Sequence, residues 1–138
     1  MNLLQTYLQD ISKYPQLSPQ EELTLAHRAR QGDTEARKQL IEANLLLVVN
    51  IARIYASSEV DILDLVQEGN IGLICAVDKF DPTAGNRLST LAVFWIKKQI
   101  QRYLATTEED LFKCIREVSV NLFETGIKFC NHFFSKIF

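Results

Sequence analysis

RLSTLAVFWIKKQIQRY, residues 87–103, is the stretch that decides the fold class. Set on a helix at about 100° per residue, it separates into two faces. Leu88, Ala92, Val93, Trp95, Ile96, Ile100 and Tyr103 form a broad apolar side. Thr90, Phe94, Lys97, Lys98 and Gln101 lie opposite, with Arg87, Leu91 and Arg102 beside them. The stretch carries four cations and no acid, so Leu91 and Phe94 stand among cations on the side expected to face water. Such a helix suits nucleic acid, because cations neutralise phosphates and an exposed ring stacks on a base. The alternative is an ordinary amphipathic surface helix whose Phe94 packs on a neighbour.

Just upstream, DILDLVQEGNIGLICAVDKF (61–80) repeats Ile62, Leu65, Val66, Ile71, Leu73, Ile74 and Val77 at helical spacing behind the cap residue Asp61. Gly69 and Gly72 weaken a helix by about 0.5–1 kcal/mol each relative to Ala. They fit a helix that another backbone approaches closely. Residues 59–81 hold six acids (Glu59, Asp61, Asp64, Glu68, Asp78, Asp81) against Lys79 alone. An acidic surface beside a basic one suggests two partners, one protein and one nucleic acid; the alternative is that the two faces attract each other.

Further out, Leu3, Leu4, Tyr7, Leu8 and Ile11 predict a helix over 3–13 that ends at Tyr14-Pro15. Ser18-Pro19-Gln20-Glu21 starts the next helix with a cap, a first-turn proline and an acid as in a capping box, and Gly32 ends it. Asp33 then caps one long helix, DTEARKQLIEANLLLVVNIARIYA, with Leu46 and Val49 extending its apolar surface almost all round. Ser57-Ser58-Glu59 and 81–86 read as turns. Residues 108–124 form a further amphipathic pattern, ended by Gly126. The final stretch, IKFCNHFFSKIF, is rich in Phe, Ile, Lys and Asn and has no clean period.

Composition agrees with helices. Of 138 residues 47% are hydrophobic and only five are Gly and three Pro. The formal net charge of −2 excludes a general polyanion binder and leaves a local basic face. Cys75, Cys114 and Cys130 have neither metal-ligand spacing nor a disulfide framework, and read as reduced thiols. No signal pattern or membrane-length apolar run is visible, so a cytoplasmic protein is expected, with no membrane partner. His27 and His132 lack a nucleophile or metal partner at a meaningful spacing. GNIG at 69–72 lies inside a helical pattern and is not a phosphate loop. Asp61, Asp64 and Glu68 come from one helical side with no converging ligand, so no metal is expected. No catalytic residue, enzyme activity or cofactor is expected.

Three runs together carry a resemblance. LIEANLLLVVNIARIY (40–55), DLVQEGNIGLICAVDKFDP (64–82) and RLSTLAVFWIKKQIQRYLA (87–105) resemble conserved region two of bacterial RNA polymerase sigma factors of the housekeeping, sigma-seventy family. YLQDISKYPQLSPQEELTLAHRARQGD (7–33) resembles the second part of their region one. The resemblance implies an all-α domain: residues 1–32 as the region-one segment, 33–106 as the region-two domain, and 107–138 unassigned. It implies docking on the coiled coil of the largest-subunit clamp of core polymerase through Asp64, Gln67, Glu68, Asn70 and Ile74. It also implies binding of the non-template strand of the promoter minus-ten element. Asn44 and Leu47 match positions that hold a flipped base, and Phe80, Thr90 and Trp95 match the melting set. Lys97, Lys98 and Gln101 match residues facing upstream duplex, with Arg87, Leu91, Phe94 and Arg102 on the same face. An anti-sigma factor is a further candidate partner.

Departures from the family pattern lie on the same helix. Asn86, Leu88, Leu91 and Phe94 stand where the family usually has Tyr, Phe, the base-stacking Tyr and a Trp. Lys98 replaces a base-reading glutamine and is a phosphate-type side chain. Weaker or altered minus-ten recognition is expected. Nothing after residue 106 resembles the family's third and fourth regions. Two functions follow: a sigma-factor fragment that recognises and melts the minus-ten element, or a degenerate or regulatory relative that occupies the clamp without productive initiation. The Phe-rich end reads either as an out-of-frame translation of A/T-rich sequence or as a helical appendage.

Overall fold

Short polar side chains start the helices. In a computed structural model, which describes residues 2–105, Asn2 accepts from the Gln5 N–H at 2.8 Å and opens α1 (Leu3–Ile11). Ser18 Oγ accepts from the Glu21 N–H at 3.1 Å and opens α2 (Pro19–Arg30), with Pro19 in its first turn. Asp33 accepts from Glu35 and Ala36 at the start of α3 (Thr34–Glu42), and Asp61 accepts from Leu63 at the start of α5 (Ile62–Lys79). Each bond satisfies an N–H that the first helical turn leaves without a partner. The reciprocal capping box expected at Ser18–Glu21 forms instead at α1, where Gln5 Oε1 accepts from the Asn2 N–H.

The long helix expected from Asp33 is two helices. It breaks at Ala43-Asn44 into α3 and α4 (Leu45–Tyr55). The Asn44 amide donates to the Leu40 carbonyl at 2.8 Å, the acceptor its own N–H would use in a continuous helix. That N–H turns to Ile41 instead, at 3.1 Å. A side chain that competes with the backbone ladder is the ordinary way an asparagine interrupts a helix. A short 3-10 turn, Pro82–Ala84, then leads to α6 (Leu88–Leu104). Among the described residues there is no strand, and the all-α architecture stands.

The chain divides into two units, 1–103 and 104–138, and the packing described is that of the first. Residues 1–32 thus share a unit with those that follow. α4 packs along α5, α2 along α3, and α3 against α5. Leu40, Val48, Val49, Leu65, Leu73, Leu88, Ile96 and Ile100 are wholly enclosed. The buried stripe of α6 is narrower than its apolar face: Leu88, Ala92, Ile96 and Ile100, one per turn, are covered. Tyr103, in the same sector at the last turn, is exposed, as are Leu46 and Ile54 of α4 and Leu3 of α1. Periodicity gives the direction of a side chain; it does not supply the element that would cover it. The amphipathic pattern at 108–124 lies outside the described residues.

The two helix-interior glycines have the close neighbours their presence implied. A methyl group at Gly72 would lie 2.5 Å from the Trp95 carbonyl oxygen, and one at Gly69 2.7 Å from Val48 Cγ1. α5 and α6 therefore cross in backbone contact at Gly72. That contact fixes how far Trp95 stands from the acidic helix.

Candidate nucleic-acid interface

The basic face of α6 begins with a tertiary cap. Leu88 donates its N–H to Glu22 Oε1 at 2.9 Å, and the Arg87 guanidinium reaches the same carboxylate through Nε at 3.1 Å and Nη2 at 3.3 Å. Nη2 also donates to the Leu17 carbonyl. Glu22 is only 4% exposed, so its charge is matched by one guanidinium and by the start of a helix. The carboxylate raises the Arg87 pKa above its ordinary value. Arg87, expected among the DNA-facing cations, is in this structure bound to α2.

Beyond it the face carries rings and ammonium groups. Phe94 is 56% exposed and Trp95 half-buried; their rings meet edge to face, with centroids 5.5 Å apart. Lys79, from the last turn of α5, places its ammonium 4.0 Å from the Trp95 centroid. Lys98 stands 5.3 Å from the Trp95 centroid and 5.6 Å from that of Phe94. Each separation lies within cation–π range. Lys97 is half-buried, and Gln101 donates to the Tyr55 hydroxyl at 3.1 Å. Beside the rings, Lys79, Phe80, Asp81, Asn86, Thr90, Leu91 and Phe94 line an open recess of about 310 Å³. Phe80 itself is buried and serves as a wall of that recess. Leu91, half-buried, offers an apolar lining without a π-face.

The acidic run of α5 divides in two. Asp78 takes a forked pair from Arg37, at 2.7 and 3.1 Å, and Asp81 pairs with Arg30 at 3.0 Å. The Thr83 hydroxyl and N–H, with Arg30 behind them, hold the Asp81 carboxyl below its ordinary value. These acids attract cations of α2 and α3, not the basic face of α6. The N-terminal half is different: Asp64 and Gln67 are exposed and their side chains make no hydrogen bond or ion pair among the described residues. Glu68, half-buried, accepts from the Gln99 amide at 3.0 Å. Asn70 donates to the Tyr7 hydroxyl at 3.3 Å, and its Oδ1 is buried with no partner among the described residues. Ile74 is half-buried one turn on. Asn44 and Leu47 lie at and just after the break between α3 and α4, both half-buried.

Comparison with known proteins bears on this arrangement. The description "Sigma-70 region 2" matches residues 40–109, and "Sigma-70 factor, region 1.2" matches residues 2–35. The chain belongs to the sigma-70 family. It is 46% identical over 121 residues to RNA polymerase sigma factor RpoS of Coxiella burnetii, a match covering 86% of this chain and 34% of that protein. It is 50% identical over 119 residues to RNA polymerase sigma factor SigA of Clostridium acetobutylicum, covering 86% of this chain and 30% of that one. The chain spans about a third of the length of the curated relatives it matches. Among the described residues no helix is long and apolar enough to cross a membrane.

Within this sigma-70 chain three residues that shape the candidate interface had no sequence signal that would have selected them. Glu22 is one acid of a helix that shows its partner only once α6 folds beside it. Lys79 reads as a helix-end cation, and its approach to Trp95 depends on the α5–α6 crossing. Gln99 reads as one more polar position of α6, yet it is buried.

Proposed function

We propose that this chain is a sigma-factor region acting in transcription initiation, which docks on core RNA polymerase through α5 and holds promoter minus-ten DNA on α6. The docking residues are Asp64, Gln67, Glu68, Asn70 and Ile74, with the clamp coiled coil of the largest subunit as partner. Lys97, Lys98, Arg102 and Gln101 face the DNA backbone and upstream duplex. Phe94, Thr90 and Phe80 line the recess that receives an extruded base of the non-template strand, with the Trp95 ring against Phe94, and Asn44 and Leu47 hold a second one. Binding energy opens the strand here, since a base captured outside the stack offsets part of the unpairing cost.

The observation that carries this reading is the contrast along α5. Asp78 near its C-terminal end and Asp81 just beyond it are matched by arginines of the same unit, whereas the side chains of Asp64 and Gln67 in the N-terminal half stand exposed and without partners among the described residues, on the helix that α6 crosses at Gly72. An acidic helix face of this kind is complementary to a basic polymerase surface. Affinity for core polymerase, measured with and without Glu68→Lys, tests it: a loss of tenfold or more is expected, and equal affinity would remove the docking role.

A second reading is favoured by one residue. Leu91 lines the recess where the family places a stacking ring, and base stacking is worth about 1–3 kcal/mol. A chain that occupies the clamp without opening DNA well would act as a competitor of a full-length sigma factor. Robust run-off transcription from a minus-ten-dependent template excludes that role.

A further inference from the structure

Two polar side chains are enclosed among the described residues, Glu22 and Gln99. The start of α6 accounts for Glu22. Gln99 is 9% exposed, where α6 faces α5, and an amide kept from water needs its polar atoms met. Both ends are met by charges. Nε2 donates to Glu68 Oε2 on α5 at 3.0 Å, and Oε1 accepts from Arg102 Nη1, one turn along α6, at 3.4 Å.

The two charges select one orientation of the amide. Turned over, it would set its oxygen against the Glu68 carboxylate and its NH₂ against the Arg102 guanidinium, and both contacts would repel. The amide is polarised from acid to cation, so each of its bonds strengthens the other. A guanidinium has five N–H donors, so a bond to Gln99 fixes its direction without exhausting them. An arginine already directed loses less freedom when it meets a phosphate.

We propose that Gln99 is a positioning residue that couples the two faces of this domain: by bridging Glu68 and Arg102, it makes the aim of the DNA-facing guanidinium depend on the carboxylate of the docking helix. This rests on the functional reading above, which places Glu68 toward polymerase and Arg102 toward DNA. When the carboxylate is removed, one of the two charges that orient the amide is gone, and Gln99 holds Arg102 less firmly. Bulk electrostatics predicts the opposite sign, since deleting an acid near a DNA-binding face strengthens binding.

The test is equilibrium binding of the full chain to a labelled single-stranded oligonucleotide carrying a minus-ten hexamer, over a salt series. Gln99→Leu is expected to weaken binding about three- to tenfold, within the net range of one ordinary hydrogen bond because Gln99 acts only through Arg102, at an unchanged salt slope because no cation is lost. Arg102→Ala is expected to lower that slope by about 0.7, one phosphate contact. Glu68→Ala is expected to weaken binding in the original chain and to strengthen it, or leave it level, in the Gln99→Leu background. An equal shift in both backgrounds overturns the coupling and leaves the functional reading standing. No binding by the original chain overturns both. If Gln99→Leu melts at a lower temperature than the original chain, Gln99→Met, which keeps the unbranched shape, takes its place with the same expectations.

Discussion

At the scale of single residues, Trp95 shows how a side chain's role depends on what lies over it. Read along α6 it belongs to an apolar face, yet it is half-buried and a lysine from another helix stands 4.0 Å from its ring centre. A cation at that distance contributes about 0.5–2 kcal/mol, depending on how far it is desolvated. Trp95 is the chain's only tryptophan, so tryptophan fluorescence reports this one ring and its surroundings. Lys79→Ala is expected to raise the acrylamide quenching constant of that emission; an unchanged constant would show that the contact does not hold in solution. Gly72 gives a second residue-scale expectation. Alanine there gains about 1 kcal/mol of helix propensity but sets a methyl group against the Trp95 carbonyl, a backbone atom that cannot step aside. Gly72→Ala should lose about 3 kcal/mol or more in urea denaturation. Gly69→Ala should lose less, since its nearest neighbour, Val48 Cγ1, belongs to a side chain that can shift.

At the scale of elements, the start of α6 depends on α2. Its first N–H and the preceding guanidinium both bind Glu22, whose partners lie 65 and 66 positions along the chain. Glu22→Ala leaves Leu88 uncapped and Arg87 without its acid. A loss of about 2–3 kcal/mol is expected, the range for hydrogen bonds to a charged group, measured by urea denaturation. Hydrogen exchange at the Leu88 amide should speed up by more than the global change accounts for, because the first turn frays. Equal acceleration at Leu88 and in the middle of α6 would mean that the cap has no local role. The α3–α4 break belongs to this scale as well. Sequence periodicity runs through it without a fault, and only the amide of Asn44, bonded to Leu40, interrupts the ladder.

For the whole unit, charge pairing sets the response to pH. The Ala36 N–H and Arg28 hold the Asp33 carboxyl below its ordinary value of 3.8, as Thr83 and Arg30 do for Asp81. A carboxyl whose pKa is depressed on folding contributes stability that is complete above the unfolded value and is lost as pH falls through the folded one. Thermal midpoints should therefore be level between about pH 5 and 7 as far as these groups are concerned, and fall below about pH 4. Asp81→Asn should make that acid fall shallower. Tyr14 has the opposite sign: its bond to Glu42 raises the phenol above its ordinary 10.0. Its contribution is complete below that value and lost as pH rises past it, so Tyr14→Phe should flatten an alkaline decline.

Much of this architecture was legible before folding. Apolar positions at helical spacing, Ser18, Asp33 and Asp61 as caps, and Pro15, Gly32 and Pro82 as interruptions are local signals, and they located the helices because capping and periodicity act within a few residues. The pattern DLVQEGNIGL followed by FWIKKQI was specific enough to name the family. What tertiary structure decided were the relations between distant residues: Glu22 with Arg87, Arg37 with Asp78, Gly72 under Trp95, and Gln99 between Glu68 and Arg102. Each joins side chains that only helix packing brings within reach. A sequence encodes the face on which a charge or ring lies, whereas its partner depends on which other helix arrives there.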